Sequence, residues 1–414
     1  MNFKAPRGTH DIFAVNAKGM AELEKRAREI FKRHSFEEVK TPVFEDAALF
    51  MRSIGDATDI VEKEMYLFED RKGRKLALRP EGTASLVRAY VEHRLDMEIP
   101  SGRFFYCGEM FRYERPQAGR YRQFHQMGVE FLGNPSPAAD AETIIIAADI
   151  LAAVGIKDIN IHINSLGCEK CRPLFREALV KYFSSLEGLC QDCGKRLEKN
   201  PLRLLDCKID SHKFTDVPKM ADYLCQECNV NFSSVRGLLQ KAGYNFITDG
   251  KLVRGLDYYT RTVFELKSDA VGSQDTLAGG GRYDNLVKEL GGQSTPAVGF
   301  AFGSERVMIA AEKAGFLESL AKPENIFVAY ADKELFDEAF ACAVKMSKNG
   351  FKGNLSVAIQ GPVKAKNLTN QLKFADKINA DKVIVFAKTE FDSGKVLLKN
   401  MKEKTQEEMD LLEI

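Results

Sequence analysis

Phe111-Arg-Tyr-Glu-Arg-Pro-Gln-Ala-Gly-Arg-Tyr-Arg-Gln-Phe-His-Gln126 is a segment in which arginines alternate with aromatic residues. Four arginines lie between Arg112 and Arg122, and Glu114 is the acidic residue among them. Pro116 and Gly119 are typical of a turn, so the segment predicts two strands joined by a loop. Guanidinium groups match phosphate geometry and aromatic faces stack on purines, which favours a nucleotide-binding hairpin. A solvated basic hairpin is the alternative.

The flanking sequence predicts a mixed α and β domain around this hairpin. Apolar residues recur at helical spacing in three segments and alternate or cluster as in strands in six others. After Pro323, strands alternate with helices over about 90 residues, which predicts a separate small α/β domain. Before it, the predicted helices are 17–34, 138–154 and 304–314, and the predicted strands are 39–44, 103–113, 127–132, 159–163, 261–266 and 298–302.

Length and charge limit the class of protein. The chain has 414 residues, which suggests two or three domains at roughly 150 residues each. The 60 Lys and Arg against 59 Asp and Glu argue against a polybasic nucleic-acid binder, although a local basic site remains compatible. The amino terminus has no apolar signal core, and no apolar run approaches a membrane span of about 18 residues. We therefore expect a cytoplasmic protein with no membrane partner.

Four further segments carry candidate ligand-binding residues. Leu252–Phe264 places Arg254 and Asp257 beside Gly255, and adjacent Tyr258 and Tyr259 would point to opposite faces of an extended segment. A hairpin turn with a core tyrosine is the alternative. The other three are Leu78–Thr83, whose Glu81 and Thr83 offer acceptors for an ammonium group; Ala278–Asp284, whose three glycines allow close backbone approach; and Gly299–Arg306, where a strand enters a helix.

Seven of the nine cysteines lie between about 165 and 245, in a segment that reads as short helices joined by loops. They include the pairs Cys168/Cys171, Cys190/Cys193 and Cys225/Cys228, with Cys207 between them. Paired C-x-x-C motifs are typical of structural zinc, but the spacing alone favours a metal-free insertion over a zinc site. The sequence assigns no metal ligands, and a redox pair lacks the preceding strand of a thioredoxin-like unit.

Taken together, these segments resemble the histidyl-tRNA synthetases, which are class II aminoacyl-tRNA synthetases. Arg7–Asp11 and Glu37–Glu45 look like the family's amino terminus and motif 1, the arginine-rich hairpin like motif 2, and Gly299–Arg306 like motif 3. Leu-Val-Arg-Gly-Leu-Asp-Tyr-Tyr at 252–259 and Ala-Gly-Gly-Gly-Arg-Tyr-Asp at 278–284 look like two signatures peculiar to the histidine enzymes.

The resemblance implies a fold and a division of the chain. It implies an α+β catalytic core at 1–322, with a central antiparallel sheet flanked by helices, and a helical, cysteine-rich insertion at about 165–245. An α/β anticodon-binding domain is implied at 323–414. It further implies a homodimer formed through the motif 1 region.

The resemblance also implies the reaction and its residues. Histidine would attack ATP, entering with Mg²⁺, to give the adenylate and pyrophosphate, and the 3′ end of tRNA(His) would then accept histidine. The implied catalytic residues are Arg112, Arg254 and Arg306, with Arg254 in place of a metal ion. The implied histidine-binding residues are Glu81, Thr83, Arg112, Gln126, Glu130, Arg254, Tyr258 and Tyr259; those for ATP are Arg112, Glu114, Phe124 and Arg306; those for tRNA are Arg115, Gln117 and Arg120.

The anticodon contacts are less specific. No arginine follows Arg306, and residues 325–414 hold 14 Lys and 13 acidic residues. Phosphate contacts there would come from lysines such as Lys364, Lys366 and Lys373, which read equally well as solvated residues. Two rival functions are a histidine-sensing regulatory subunit of ATP phosphoribosyltransferase, which lacks the anticodon domain and the histidine signatures, and a non-catalytic RNA-binding protein.

Overall fold

The computed structural model describes residues 3–55, 58, 60–99, 101–207, 209–272, 275–320, 322–352, 354–363 and 367–414. The chain divides into two compact units, which are Met1–Ser319 and Leu320–Ile414. The strands of the first unit are β1 (Glu37–Glu38), β2 (Phe44–Asp46), β3 (Leu67–Glu69), β4 (Lys75–Leu78), β5 (Gly102–Phe111), β6 (Gln123–Leu132), β7 (Asn160–Ser165), β8 (Ile247–Thr248), β9 (Thr260–Lys267), β10 (Thr276–Arg282) and β11 (Ala297–Gly303). Its α-helices are α1 (Ala14–Arg33), α2 (Ala47–Ile54), α3 (Thr83–Glu92), α4 (Leu95–Glu98), α5 (Pro137–Ala153), α6 (Arg172–Ser184), α7 (Gln191–Lys199), α8 (Gln226–Lys241), α9 (Leu286–Glu289), α10 (Ser304–Lys313) and α11 (Phe316–Ser319).

Eight strands form one sheet in the order β1-β5-β6-β11-β10-β9-β7-β8. The six central strands pair antiparallel, whereas β1 and β8 at the edges pair parallel to their neighbours. The arginine-rich hairpin is β5 and β6, in register from Gly102 opposite Leu132 to Phe111 opposite Gln123. The predicted fold class, a largely antiparallel sheet with flanking helices, is confirmed.

Alternation along β5 and β6 decides which side chains reach the cavity. Phe105 and Phe131 face helix α1 and its end, where they pack against Phe31 and Phe36 at ring-centroid distances of 4.9 and 6.0 Å. Since successive side chains of a strand point to opposite faces, Glu130 points away from those aromatics. The buried aromatic face therefore fixes the orientation of a polar residue on the other face.

The predicted strand at 39–44 is wrong except at Phe44. Strand β1 ends at Glu38 and β2 begins at Phe44. Pro42 has no backbone N–H for a sheet ladder, and the carbonyl oxygens of Thr41 and Pro42 accept from the Arg79 guanidinium at 2.9 and 3.4 Å. A side chain thus replaces the strand partner, and β2 joins a small second sheet in the order β2-β4-β3.

The insertion between β7 and β8 is helical, as predicted. It contains α6, α7 and α8 with a 3₁₀ helix at Pro201–Asp206. Its own core includes Phe175, Leu179, Phe183 and Leu204, all almost fully buried, together with several cysteines. The cysteines are therefore part of what holds this small segment together.

The elements of the second unit are β12 (Glu324–Tyr330), α12 (Phe336–Asn349), β13 (Val357–Gln360), α13 (Leu368–Lys377), β14 (Lys382–Phe386), α14 (Lys388–Asp392), β15 (Lys395–Asn400) and β16 (Gln406–Asp410). Its five strands form one sheet in the order β13-β12-β14-β15-β16. The predicted alternation of strands and helices is present, and β12 pairs parallel with β13 and β14. Two antiparallel strands at the end, β15 and β16, were not predicted from the sequence.

Across the described ranges, no helix has both the length and the apolar character needed to cross a membrane.

Candidate active site

A cavity of about 940 Å³, counted with its open mouth, lies on the polar face of the large sheet. Strands β6, β10 and β11, the start of α3 and the segment before β9 contribute its walls. Of the fourteen residues assigned to the site from the sequence, all but Arg115 and Gln117 line it. Residues up to 225 positions apart in the chain, Glu81 and Arg306, therefore share one pocket.

Glu130 is the buried carboxylate at the inner end of the cavity and is 1% exposed. It accepts hydrogen bonds from the hydroxyl of Thr83 at 2.5 Å and from the hydroxyl of Tyr283. Burial raises the pKa of Glu130 from its ordinary 4.5 to about 8, the two hydroxyl bonds oppose this rise, and nearby Glu81 adds to it. The group is ready to pair with a cationic or N–H-bearing ligand.

Glu81 fixes the start of helix α3. Its carboxylate accepts from the backbone N–H groups of Thr83 at 2.7 Å and Ala84 at 2.8 Å, donors that lack partners within the helix. Burial nevertheless raises the pKa of Glu81. Gln126 lies beside these groups, within 3.4 Å of the Tyr106 hydroxyl. Two carboxylates and an amide oxygen thus form an acceptor-rich end of the cavity.

Gly299 on β11 makes room for Glu130. A Cβ at this position would lie 1.9 Å from Glu130 Oε2 and 2.5 Å from the carbonyl oxygen of Val129, far inside contact distance. We expect Gly299→Ala to displace the carboxylate and to destabilise the fold by about 1–3 kcal/mol, as overpacking does. Thermal unfolding and histidine binding measure the two effects.

Gly303→Ala is the matched control, since it makes the same substitution at the end of the same strand and its Cβ would meet nothing within 4 Å. Equal behaviour of the two variants would contradict the packing argument.

Arg112 and Phe124 form the wall contributed by the hairpin. The guanidinium of Arg112 lies over the Phe124 ring, 5.3 Å from its centroid, and its Nε donates to the carbonyl oxygen of Pro80 at 2.8 Å. Glu114 lies 3.8 Å from Arg112 and accepts from Arg120 at 3.0 Å. This region presents an aromatic face edged by charges of both signs.

Arg306 adds a cation on helix α10. Its Nη1 donates to the carbonyl oxygen of Thr276 at 2.9 Å. Burial lowers the pKa of Arg306, and repulsion from Arg120 and then Arg112 adds to the decrease while Glu114 opposes it. Three guanidinium groups are thus close enough to repel one another, and an anion placed among them would relieve that repulsion.

Arg254 faces the cavity from the opposite wall. It pairs with Glu265 on β9, and its Nε is buried without a hydrogen-bond partner, one of five such side-chain atoms among the described residues. A Cβ at Gly279 would lie 2.5 Å from Arg254 Nη2, so the missing side chain at Gly279 leaves room for the guanidinium. A buried donor without a partner costs about 1–3 kcal/mol, which a bound acceptor would recover.

The expectation that Tyr258 and Tyr259 point to opposite faces is wrong, because both line the cavity. The segment is a turn and not an extended strand, and the two rings lie 4.8 Å apart. Sequence reasoning also missed Tyr283 as the partner of Glu130, Glu265 as the partner of Arg254, and Glu305. Tyr283 and Glu305 stand within segments already singled out, but only the fold shows what they contact.

Glu305 anchors the hairpin to helix α10. It accepts from the backbone N–H of His125 at 2.8 Å and lies 2.8 Å from the ring Nδ1. This hydrogen bond raises the pKa of His125. The hairpin that carries Arg112 and Phe124 is thereby tied to the helix that carries Arg306.

The sequence profile of the family described as histidyl-tRNA synthetase matches residues 8–171 and 206–307. This chain belongs to the histidyl-tRNA synthetase family. The profile match does not include residues 172–205 of the insertion.

The chain is similar to named relatives over its whole length. It is 70% identical over 408 residues to histidine–tRNA ligase of Endomicrobium trichonymphae, covering 99% of each chain. The structure of apo histidyl-tRNA synthetase of S. aureus matches with a TM-score of 0.82 at 33% identity, covering 99% of this chain and 98% of that one. A Bacillus halodurans protein titled as an ATP phosphoribosyltransferase regulatory subunit/histidyl-tRNA synthetase shares the fold at a TM-score of 0.67 and 21% identity, covering 94% of this chain and 99% of that one.

Proposed function

We propose that this chain is a histidine–tRNA ligase, which activates L-histidine with ATP and transfers it to the 3′ end of tRNA(His). The observation that carries the proposal is one cavity with buried carboxylates at its inner end and the guanidinium groups of Arg112, Arg254 and Arg306 around the rest. High identity to named histidine–tRNA ligases along the whole chain supports the same activity.

The first chemical step brings two anions together. A carboxylate oxygen of histidine attacks the α-phosphorus of ATP, the bond to the β-phosphate oxygen breaks, and pyrophosphate leaves. Two unit charges 4 Å apart repel by about 4 kcal/mol at an effective dielectric of 20. Arg112 and Arg254 approach from opposite walls to neutralise that charge, and Arg306 holds the terminal phosphates. Arginine suits the task because it stays charged at any physiological pH.

Selection of histidine rests on the acceptor-rich end. Glu130 accepts from one imidazole nitrogen, and Tyr258 and Tyr259 complete the ring site. Glu81, Thr83 and Gln126 bind the α-amino group. A side chain without imidazole would leave these buried groups unpaired, which can discriminate by about 10⁴–10⁵. The ligase therefore needs no editing site for its amino acid.

ATP binds along the hairpin. Phe124 stacks on adenine, with Glu114 near the exocyclic amino group and Arg112 at the α-phosphate. A Mg²⁺ ion would enter with the triphosphate and screen its charge.

The loop of the hairpin binds the acceptor end of tRNA. Arg115 and Gln117 are exposed outside the cavity, whereas Arg120 lines it and pairs with Glu114. In the second step, the terminal ribose hydroxyl attacks the adenylate carbonyl, and AMP leaves.

We expect Arg115→Ala to raise the KM for tRNA several-fold and to leave pyrophosphate exchange unchanged, since one exposed phosphate contact is worth about 1 kcal/mol. Arg120→Ala should impair both reactions. Exchange and aminoacylation assays on the same preparations separate the two. A loss of exchange in Arg115→Ala would contradict the assignment.

The second unit binds the anticodon. Lys373 is exposed on α13 and is a candidate phosphate contact there. Lys364 and Lys366, the other two candidates, lie outside the described residues. The domain boundary at 322/323 stays a prediction, as do the catalytic role of the first unit and the anticodon-binding role of the second. A cytoplasmic site of action follows from the tRNA substrate.

A homodimer forms through the small sheet. Val43 and Phe44 at β2, and Leu67 and Phe68 on β3, are 40–55% exposed, and the two phenylalanine rings lie 6.2 Å apart. Exposed apolar clusters of this kind mark interfaces, and Val43 and Phe44 of this cluster belong to the motif 1 segment Glu37–Glu45.

We expect Phe68→Asp to raise the dimer dissociation constant at least about 30-fold, as the loss of a buried aromatic anchor does. Sedimentation velocity measures the shift. Phe340→Asp, at an exposed phenylalanine of the second unit, is the control. A monomeric parent chain at micromolar concentration would refute the dimer.

The activity itself is tested by histidine-dependent exchange of pyrophosphate into ATP, followed by charging of tRNA(His). A regulatory paralogue would bind histidine without exchange, and an RNA-binding protein would show neither reaction. Exchange with another amino acid in place of histidine would overturn the proposal.

A further inference from the structure

The cysteines of the insertion gather into two groups of four ligands. One group is Cys168, Cys171, Cys225 and Cys228; the other is Cys190, Cys193, Cys207 and Asp210. Within each group, all four ligand atoms lie within 4.8 Å of one another. We propose that each group binds one structural zinc ion and that the second ion braces the wall of the active site.

The geometry of the first group matches a tetrahedral Cys₄ site. The sulfur of Cys168 lies 3.7 Å from that of Cys171 and 3.9 Å from that of Cys225. Four sulfurs at 2.3 Å from a central zinc are about 3.8 Å apart, whereas a disulfide requires about 2.05 Å. The backbone N–H of Cys225 donates to Cys171 Sγ at 3.1 Å, which favours a thiolate there.

The second group has the same geometry with a carboxylate in place of one thiolate. Cys207 Sγ lies 3.8 Å from Cys190 Sγ and 3.9 Å from Asp210 Oδ2. Asp210 is only 2% exposed; its carboxylate accepts from the backbone N–H of Cys190 at 2.8 Å, and Lys213 Nζ lies 3.2 Å away. Zinc accepts Asp oxygen beside Cys sulfur, and a divalent cation at the centre would offset much of the negative charge of three thiolates and one carboxylate.

The number of ligands in each group argues against a redox role. Each C-x-x-C pair combines a buried cysteine (Cys171, Cys193 or Cys228) with a partly exposed one (Cys168, Cys190 or Cys225). A redox pair needs only two cysteines, whereas each group here brings four ligand atoms together. Cys107 and Cys342 belong to neither group, so the clustering is confined to the insertion.

The first site closes the insertion at its base. It joins residues 168–171, directly after β7, to residues 225–228 at the start of α8. The enclosed segment of more than fifty residues has a small core of its own, and small cores commonly need a metal to become stable.

The second site supports the active site, a consequence that rests on the proposed function. Its ligands Cys193 and Cys207 flank the segment 194–206, which contacts the signature segment at 252–259. Asn200 Nδ2 donates to Asp257 Oδ1 at 2.9 Å, and Arg203 Nη1 donates to the carbonyl oxygen of Arg254 at 3.2 Å. The second zinc would thus hold the backbone of Arg254 through Arg203, which makes Arg203 a positioning residue.

The test is the metal content of the full-length chain, purified under reducing conditions without chelator or polyhistidine tag. We expect about two zinc ions per chain, and about one in Cys228→Ser or Cys193→Ser. Cys107→Ser and Cys342→Ser are the matched controls and should keep both. Less than about 0.2 zinc per chain in the parent protein, iron in its place, or disulfides in the clusters would overturn the proposal.

Cobalt replacement in the parent protein keeps the test independent of whether the variants fold. Both sites should give absorption of tetrahedral thiolate-bound Co²⁺, and sequential thiol modification should release the two ions. Octahedral cobalt spectra would overturn the assignment.

The bracing role has a separate readout. Cys193→Ser should lower kcat for pyrophosphate exchange about tenfold, the loss expected for a misplaced catalytic group, with a smaller effect in Cys228→Ser. Unchanged exchange in a one-zinc Cys193→Ser protein would remove the bracing role, whereas absent exchange in a two-zinc parent protein would refute the proposed function alone.

Discussion

Arg254→Ala is expected to lower histidine-dependent pyrophosphate exchange at least about 10³-fold, because in the proposed mechanism it removes one of the two cations that meet at the α-phosphate. A transition-state arginine in phosphoryl transfer is worth about 10³–10⁵ in rate. The buried Nε of Arg254 has no hydrogen-bond partner, so this N–H can donate to a bound ligand. The rate of exchange at saturating histidine and ATP measures the effect.

The fold should survive this substitution. Glu265 would lose Arg254 but would keep the hydroxyl of Thr276 at 3.1 Å and the ammonium of Lys267 at 3.5 Å. Arg71→Ala, at an exposed arginine in the turn before β4, is the control for the loss of a guanidinium. An Arg254→Ala protein that exchanges pyrophosphate within tenfold of the parent would remove this residue from catalysis.

Glu130→Gln is expected to raise the KM for histidine about 10- to 100-fold with little change in the KM for ATP. Glu130 can lose its proton when the imidazole N–H or a cationic imidazole pairs with it, whereas Gln stays neutral, and hydrogen bonds to charged groups contribute about 1.5–3 kcal/mol. Steady-state exchange with each substrate varied in turn measures the difference. Glu92→Gln, on the exposed face of α3, is the control. Equal losses in both KM values would show that the residue does not select histidine.

The same variant should alter the pH dependence of stability. Glu130 has a pKa of about 8 in the folded chain against an ordinary 4.5, so the folded state binds the extra proton. That contribution is fully present below pH 4.5 and is lost as the pH rises through 8. Glu130→Gln should therefore become more stable than the parent protein by a few kcal/mol between pH 5 and 9, at about 1.36 kcal/mol per pKa unit. Parallel stability curves would contradict the burial argument.

Arg254 and Glu130 show which parts of the site could be predicted from the sequence and which could not. Arg254 is predicted from its place in the signature segment 252–259, and Glu130 is predicted from the family resemblance. Their partners could not be assigned, since Glu265 lies 11 residues from Arg254 and Tyr283 lies 153 residues from Glu130. A pairing across strands depends on register, which local sequence does not specify.

The sequence by itself determined several of the longer strands and helices, the helical insertion, the arginine-rich hairpin and the family resemblance, because each depends on local periodicity or residue spacing. Tertiary structure decided that Tyr258 and Tyr259 both face one cavity, that Arg79 replaces a strand partner near Pro42, and that seven cysteines and Asp210 divide into two groups of four. The reason is the same in each case. Chain segments far apart in sequence meet only when the sheet and the insertion core bury their apolar faces, and that meeting fixes which polar atoms become neighbours.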